Sequence, residues 1–331
     1  MHRGAKFLPV LFFILFSLTP PLGSMGFGFV AHRKINRLAV FTLPPEMVGF
    51  FKKNIEYLSE HAVDPDRKAF AIPGEAERHY IDIERYGSSP FDSLPRHWTQ
   101  AIEKYKEGTL VHNGVLPWHI YLMLIRLTYA FEERDPDLIL YQAAHIGHYI
   151  ADACTPLHTT MHYNGVRPEQ AGIHALWESR IPEMLSHSDS FDYLVGRAQL
   201  IEEPLERAWE LVKMSHLMVD SIFQAYDLML ENFSPDQVFS YEVRGQALSR
   251  VYSREFTLAL HKEMNQMVER QMRLAVKCVG DFWYTAWVNA GQPDLYALED
   301  KGISRKFRKL LERERKEWEE AKEPAGRPNP E

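Results

Sequence analysis

Five of the fifteen histidines in this chain fall between Ala144 and Glu183. With two carboxylates, three of them make a series: His148, Asp152, His158, His174 and Glu178, in the pattern H-x3-D-x5-H-x15-H-x3-E. The pairs His148/Asp152 and His174/Glu178 are each four residues apart. On a helix that spacing puts both side chains on one face. Imidazole nitrogen and carboxylate oxygen are, besides thiolate, the groups that zinc accepts. One such pair arises by chance on many helices. Two pairs with a further histidine between them point to zinc, against the alternative of a polar helix face with buried, hydrogen-bonded histidines.

The elements that would position these residues are helices. From Trp98 onward apolar residues recur at helical spacing, which predicts helices over Trp98–Glu107, Pro117–Glu133 and from Asp135-Pro136 to Thr155-Pro156. The last of these carries His148 and Asp152. A Pro-, Gly- and Asn-bearing excursion covers 159–172, and Ile173–Leu185 is helical again. Two more helices lie within Ser190–Ser234, the stronger over Leu205–Leu230. Gln246–Ala290 reads as the longest helical tract. Upstream, a helix within 27–43 ends at Pro44-Pro45, another runs from Glu46 to Leu58, and 59–79 and 84–97 read as loops. No alternating run of useful length predicts a strand, and there is no internal repeat. The expectation is an all-α fold, a compact multi-helix bundle whose helices aim ligands into one metal cleft.

The N-terminus reads as an export signal. Arg3 and Lys6 precede an almost wholly apolar run from Phe7 to Leu18, then Pro20-Pro21, then Ser24 and Gly26 at the small-residue places before a cut. Cleavage would fall before Phe27, with an uncleaved membrane anchor as the alternative. The apolar run is short for crossing about 30 Å of hydrocarbon. This divides the chain into a signal peptide (1–26), a catalytic-type domain (27–298) and a charged C-terminal helix and tail (299–331), the tail read as a solvated or frayed helix rather than a partner-binding one. Losing 1–26 removes two basic and no acidic residues, taking the formal net charge from −7 to −9. Such a chain is a poor electrostatic match for duplex nucleic acid. Cys154 and Cys278 are the two cysteines; export would permit one bridge between them, and spacing leaves the matter open.

Four further residues are candidates for the site. His79 follows a Gly/Pro loop. His32 lies five residues after the proposed new N-terminus. Asp64 stands in AVDPD, with Asp66 as its rival. Phe27 would contribute through its backbone, since a free amine and its own carbonyl oxygen can chelate a metal together.

In this combination the chain resembles the zinc-dependent phospholipase C superfamily, which also contains the single-strand-specific zinc nucleases. The resemblance rests on a free N-terminus with a histidine five residues on, on Asp64 followed fifteen residues later by His79, and on the series from His148 to Glu178. It spans Phe27 to Glu178; the rest matches only in being helical. It implies three zinc ions: one held by His79, His148 and Asp152, a second by Phe27 and His32 with Asp152 bridging, and a third by His158, His174 and Glu178. It also implies that Asp64 serves the attacking water. The family usually begins with Trp where this chain offers Phe27; the metal needs only the backbone there.

The implied activity is phosphodiester hydrolysis by an exported protein, periplasmic or secreted. A peptidase is disfavoured by the absence of HExxH. Glu178 closes the last pair where the nuclease branch usually has Asp, which favours a phospholipid head group and transient contact with a membrane surface. The alternatives are a single-strand-specific nuclease with the same metals, and a zinc-binding protein without turnover. No protein partner is legible. N-terminal sequencing of the exported protein is expected to begin at Phe27; a retained Met1 would remove the amine ligand and with it the second zinc set.

Overall fold

The computed structural model describes residues 29–186, 194–244, 247–298 and 304–320. Phe27, the proposed cleavage site and the export signal lie outside them. The described residues are predominantly helical, as expected, and no described helix is long and apolar enough to cross a membrane. The elements that matter for the site are α1 (Phe29–Ala39), α2 (Asp64–Ala69), α3 (Leu116–Glu132), α4 (Pro136–Ala153), α5 (Pro204–His216), α6 (Val219–Asn232), α7 (Arg254–Glu263), α8 (Met267–Asn289) and α9 (Arg305–Glu320).

Helix α4 is the central strut. Asp135 caps it, accepting from the Leu138 N–H at 3.1 Å, and Pro136 occupies the first turn, where no backbone donor is needed. It stops at Cys154, ahead of Pro156. Fifteen of its eighteen residues are buried, so it is surrounded rather than laid on a surface, with α1, α3, α5 and α8 packed around it. Trp283 on α8 donates its indole N–H to the Ala143 carbonyl at 3.0 Å.

Helix α1 crosses α4 at close range. Asn36 donates to the carbonyls of Leu58 at 3.2 Å and Ala144 at 2.9 Å, and it is fully buried. The approach requires Gly147, because a Cβ there would sit 2.0 Å from the Asn36 Oδ1. Asn36 is one turn beyond His32 on α1, and Gly147 adjoins His148 on α4. This tie therefore sets the register between two candidate ligands, whose rings stack at 4.0 Å.

Three expectations need correction. Gln246–Ala290 is not one helical tract. Phe239–Arg244 (β1) pairs antiparallel with Ala247–Tyr252 (β2), Val243 opposite Leu248 and Tyr241 opposite Arg250. Ser253 then caps α7, and Asn265 and Gln266, both at positive φ, turn the chain into α8. Leu, Ala and Arg favour helix as isolated residues, but cross-strand pairing decides the outcome here. Second, 59–79 is not simply loop: a 3-10 turn over His61–Val63 leads into α2. Third, α9 is solvated over most of its surface but docks on the body. Phe307 is buried, Glu314 meets Lys68 at 2.7 Å and also Tyr141, and Lys306 reaches Tyr129 at 2.7 Å and also Glu133. Cys154 and Cys278 are both buried free thiols, with Arg207 Nη2 3.4 Å from the Cys278 sulfur.

Asn36→Ala strips the partner from two buried carbonyls and is expected to cost about 2–4 kcal/mol of stability, read by urea unfolding. Gly147→Ala should cost as much through the clash.

Candidate metal centre

Helix α4 presents His148 and Asp152 on one face, both almost wholly buried. His79 enters from the turn that closes a 3-10 segment at Arg78. Its Nδ1 lies 3.0 Å from Asp152 Oδ2 and 3.0 Å from His148 Nε2, and His148 Nε2 lies 3.2 Å from the same carboxylate oxygen. The other oxygen of Asp152 faces His32 Nε2 at 3.5 Å. One oxygen of this buried carboxylate thus addresses His79 and His148 and the other faces His32, the arrangement a bridging ligand would need.

A second convergence lies one step along. His158 Nε2 is 2.9 Å from Glu178 Oε2, His174 Nε2 is 2.6 Å from that oxygen, and the two ring nitrogens are 3.2 Å apart. His158 stands in a 3-10 turn after α4; His174 and Glu178 lie on the helix that follows Gly172. Glu178 falls in a π turn, Leu176–Arg180, rather than in regular helix. Pro182 supplies a cause, because it has no N–H for the carbonyl four residues back, which is that of Glu178.

The chemistry of the donors fits a cation better than a set of internal hydrogen bonds. His148 Nδ1 is tied to the Ala62 carbonyl at 2.8 Å and His158 Nδ1 to the His79 carbonyl at 2.6 Å. Each ring spends its N–H outward and turns its other nitrogen on the cluster, as metal-bound histidines do. In both clusters two imidazole nitrogens face each other across a carboxylate oxygen. Three sets of nitrogen and oxygen atoms close enough to share an ion result: His79, His148 and Asp152; His158, His174 and Glu178; and His32, Asp66 and His148.

The third set contains the main correction. Asp66, not Asp64, faces the cluster, with Oδ1 3.5 Å from His148 Nε2 and 3.7 Å from His79 Nδ1. Asp64 points away, to His61 Nδ1 at 2.5 Å and Arg67 at 3.0 Å. Two residues apart on a helix is a turn of about 200°, so only one of the pair can face inward. Reading 59–79 as loop left no helical phase with which to choose. His32, His79, His148, Asp152, His158, His174 and Glu178 are all brought to the two adjoining clusters; Phe27 lies outside the described residues. His145 stacks edge-on with Tyr141 rather than supporting a ligand, and two backbone oxygens, of Ala62 and His79, do the orienting that no sequence pattern announces.

Electrostatics follow from burial against charge. Burial pulls the His148 imidazole down, but the Asp152 and Asp66 carboxylates overcome it and raise it to about 10. At His158 burial is likewise overcome, by Asp152 and Glu178, with a result of about 9. His32 goes the other way, to about 4, held down by burial and by His148. Burial opposes ionisation of Asp152 and Glu178, yet His148 and His158 hold the first, and His174 and His158 the second, well below the usual carboxylate range.

No family model matches the chain, and no curated protein matches it. Among solved structures it is similar to the alpha toxin from Clostridium absonum, at 10% sequence identity and a TM-score of 0.43, over 84% of this chain and 66% of that one. The chain thus spans just under two thirds of that protein's length. Nothing about the site follows from so distant a likeness.

Ions displace protons from ligand nitrogens. In the ion-free protein near neutral pH, His148 and His158 each hold a proton that zinc must remove. Calorimetry in buffers of different ionisation enthalpy is expected to register release of about two protons, one from each ring, and zinc affinity should rise with pH through this range. No proton release would contradict the assignment of these two rings as ligands.

Proposed function

We propose that the chain is a zinc-dependent phosphodiester hydrolase acting on phospholipid head groups. The observation that carries the reading is Asp152: one buried carboxylate with His79 and His148 on one oxygen and His32 facing the other, and the His158, His174 and Glu178 set beside it. Multiple adjacent ions suit the dispersed charge of a phosphodiester better than a neutral amide. Bound there, zinc would supply Lewis-acid stabilisation of phosphate oxygens and hydroxide near neutral pH.

The chain's own residues divide the remaining work. His79, His148, His158 and His174 hold lone pairs toward the site, and Ala62 O and the His79 carbonyl keep two of those rings from turning. Asp66 is part-exposed, unlike Asp152, and stands at the open side of the histidines. It accepts the proton of the attacking water as the P–O bond forms and the bond to the leaving alkoxide breaks. Helix α1 brings His32 to the Asp152 side, where Phe27 would join it from two residues before the helix.

A lipid surface is favoured over a nucleic-acid strand by the β1–β2 hairpin. Tyr241, Val243 and Leu248 lie on one face of it and are 68%, 77% and 68% exposed. An exposed face of this kind, apolar apart from Arg250 opposite Tyr241 and carrying an amphipathic tyrosine, suits a membrane interface. The hairpin is fastened to the ligand-bearing helix, because Arg180, two residues after Glu178, donates to Glu242 and to the Tyr252 carbonyl. The net negative charge argues in the same direction, against a groove for nucleic acid.

Purified mature protein is to be assayed on phosphatidylcholine vesicles and on single-stranded DNA, each with and without a chelator. Chelator-sensitive head-group release is expected. Cleavage of DNA alone overturns the substrate class, and bound zinc with neither activity leaves a zinc-binding protein without turnover. Asp66→Asn is expected to lower kcat by about 10²- to 10⁴-fold, while Asp64→Asn leaves it near the parent value.

A further inference from the structure

Two of the three donors in the second cluster, His174 and Glu178, come from one short segment between Ala171 and Arg180. That segment is held at both ends by the last residue of β2. At its start the Tyr252 hydroxyl donates to the Ala171 carbonyl at 3.3 Å. At its end the Arg180 Nε donates to the Tyr252 carbonyl at 3.1 Å.

Both gripping residues are fixed in turn. Arg180 is buried, and its Nη1 lies 3.1 Å from Glu183 Oε2 and 3.1 Å from Glu242 Oε2, while Nη2 donates to the other oxygen of Glu242 on β1. A two-pronged pair of this kind sets direction as well as distance. Arg244, also on β1, donates to the same two carboxylates at 3.3 and 3.0 Å. Tyr252 is buried with its ring stacked on Phe256 at 5.7 Å and its hydroxyl 3.1 Å from that of Tyr226.

The segment between these grips is where the backbone departs from regular helix. Leu176–Arg180 is a π turn, and Arg180 is its last residue. A turn closed from i to i+5 and one closed from i to i+4 differ in phase, so a return to regular α-helix would rotate Glu178 relative to His174. His158 could not follow, because its Nδ1 is tied to the His79 carbonyl at 2.6 Å. Contacts from outside the segment therefore decide whether Glu178 Oε2 stays within 2.6 and 2.9 Å of the two imidazoles.

We propose that Arg180 and Tyr252 are positioning residues for the His158, His174 and Glu178 set, and that the β1–β2 hairpin is the splint that keeps the π turn in phase. The inference rests on the reading of that set as a zinc site and not on the hydrolytic reaction. Neither residue is itself among the donors; both act through the segment they hold. Glu242 alternates with Tyr241 and Val243 along β1, so the grip uses the face of the hairpin opposite to the exposed one.

The test is zinc retention by the zinc-loaded full mature chain dialysed against graded chelator, with urea unfolding of the chelated protein alongside. His174→Ala identifies the ion held by this set as the one it sheds. Arg180→Lys keeps the charge but not the fork, and Tyr252→Phe keeps the ring but not the hydroxyl. Each is expected to weaken that same ion about tenfold or more and to leave the others in place. In the His174→Ala background neither should change zinc retention further. Unchanged retention in Arg180→Lys and Tyr252→Phe overturns the inference alone. So does a loss spread over all ions in step with lost stability of the chelated protein, which marks a general loosening. If His174→Ala sheds no zinc, the metal reading of the set fails and the inference with it.

Discussion

Burying imidazoles and carboxylates together in an apolar helical core is the constraint on which the rest of this structure depends. An isolated buried charge is costly, and a carboxylate or imidazolium is tolerated only when paired and hydrogen-bonded. Here Asp152 and Glu178 are each ringed by histidines; the carboxylates overcome burial at His148, whereas at His32 burial and the neighbouring His148 win over them. A divalent cation would resolve the conflict that protons resolve in its absence, by satisfying nitrogens that otherwise face one another across a shared oxygen.

That arrangement survives only if the helices cannot slide. The tie from Asn36 to Ala144 and Leu58 holds α1 on α4, and it needs the bare backbone at Gly147. A one-turn slip would part His32 from Asp152. The π turn at Glu178 works locally in the same sense: it sets one carboxylate relative to His174 and His158. Close packing and ligand placement are therefore one requirement, met by residues that never touch an ion.

The periphery follows a different logic. The β1–β2 hairpin and α9 are attached through polar contacts, Arg180 to Glu242 and Glu314 to Lys68 and Tyr141, together with single buried anchors, Tyr252 and Phe307. The hairpin leaves a largely apolar face exposed. Such a feature suits contact with another molecule better than it suits the stability of the fold.

The all-α class, and the convergence of seven of the eight candidate residues, were legible in the sequence because their signals are local. A four-residue spacing on a helix places His148 beside Asp152 and His174 near Glu178 whatever the rest of the chain does. The eighth, Phe27, depends on a free N-terminus rather than on a fold. The choice between Asp64 and Asp66 was not legible, since it turns on the phase of a short helix set by its neighbours. The hairpin was hidden for a related reason: β2 is built from residues with ordinary helical propensity, and only pairing with β1 makes it a strand. The backbone oxygens of Ala62 and His79 leave no mark on side-chain patterns at all. What the sequence by itself determined was which donor side chains are grouped and the helices that carry most of them. Tertiary structure alone decided which carboxylate faces inward, which ring nitrogen is free, and how β2 grips the segment that carries His174 and Glu178, because each depends on contacts between segments far apart in the chain.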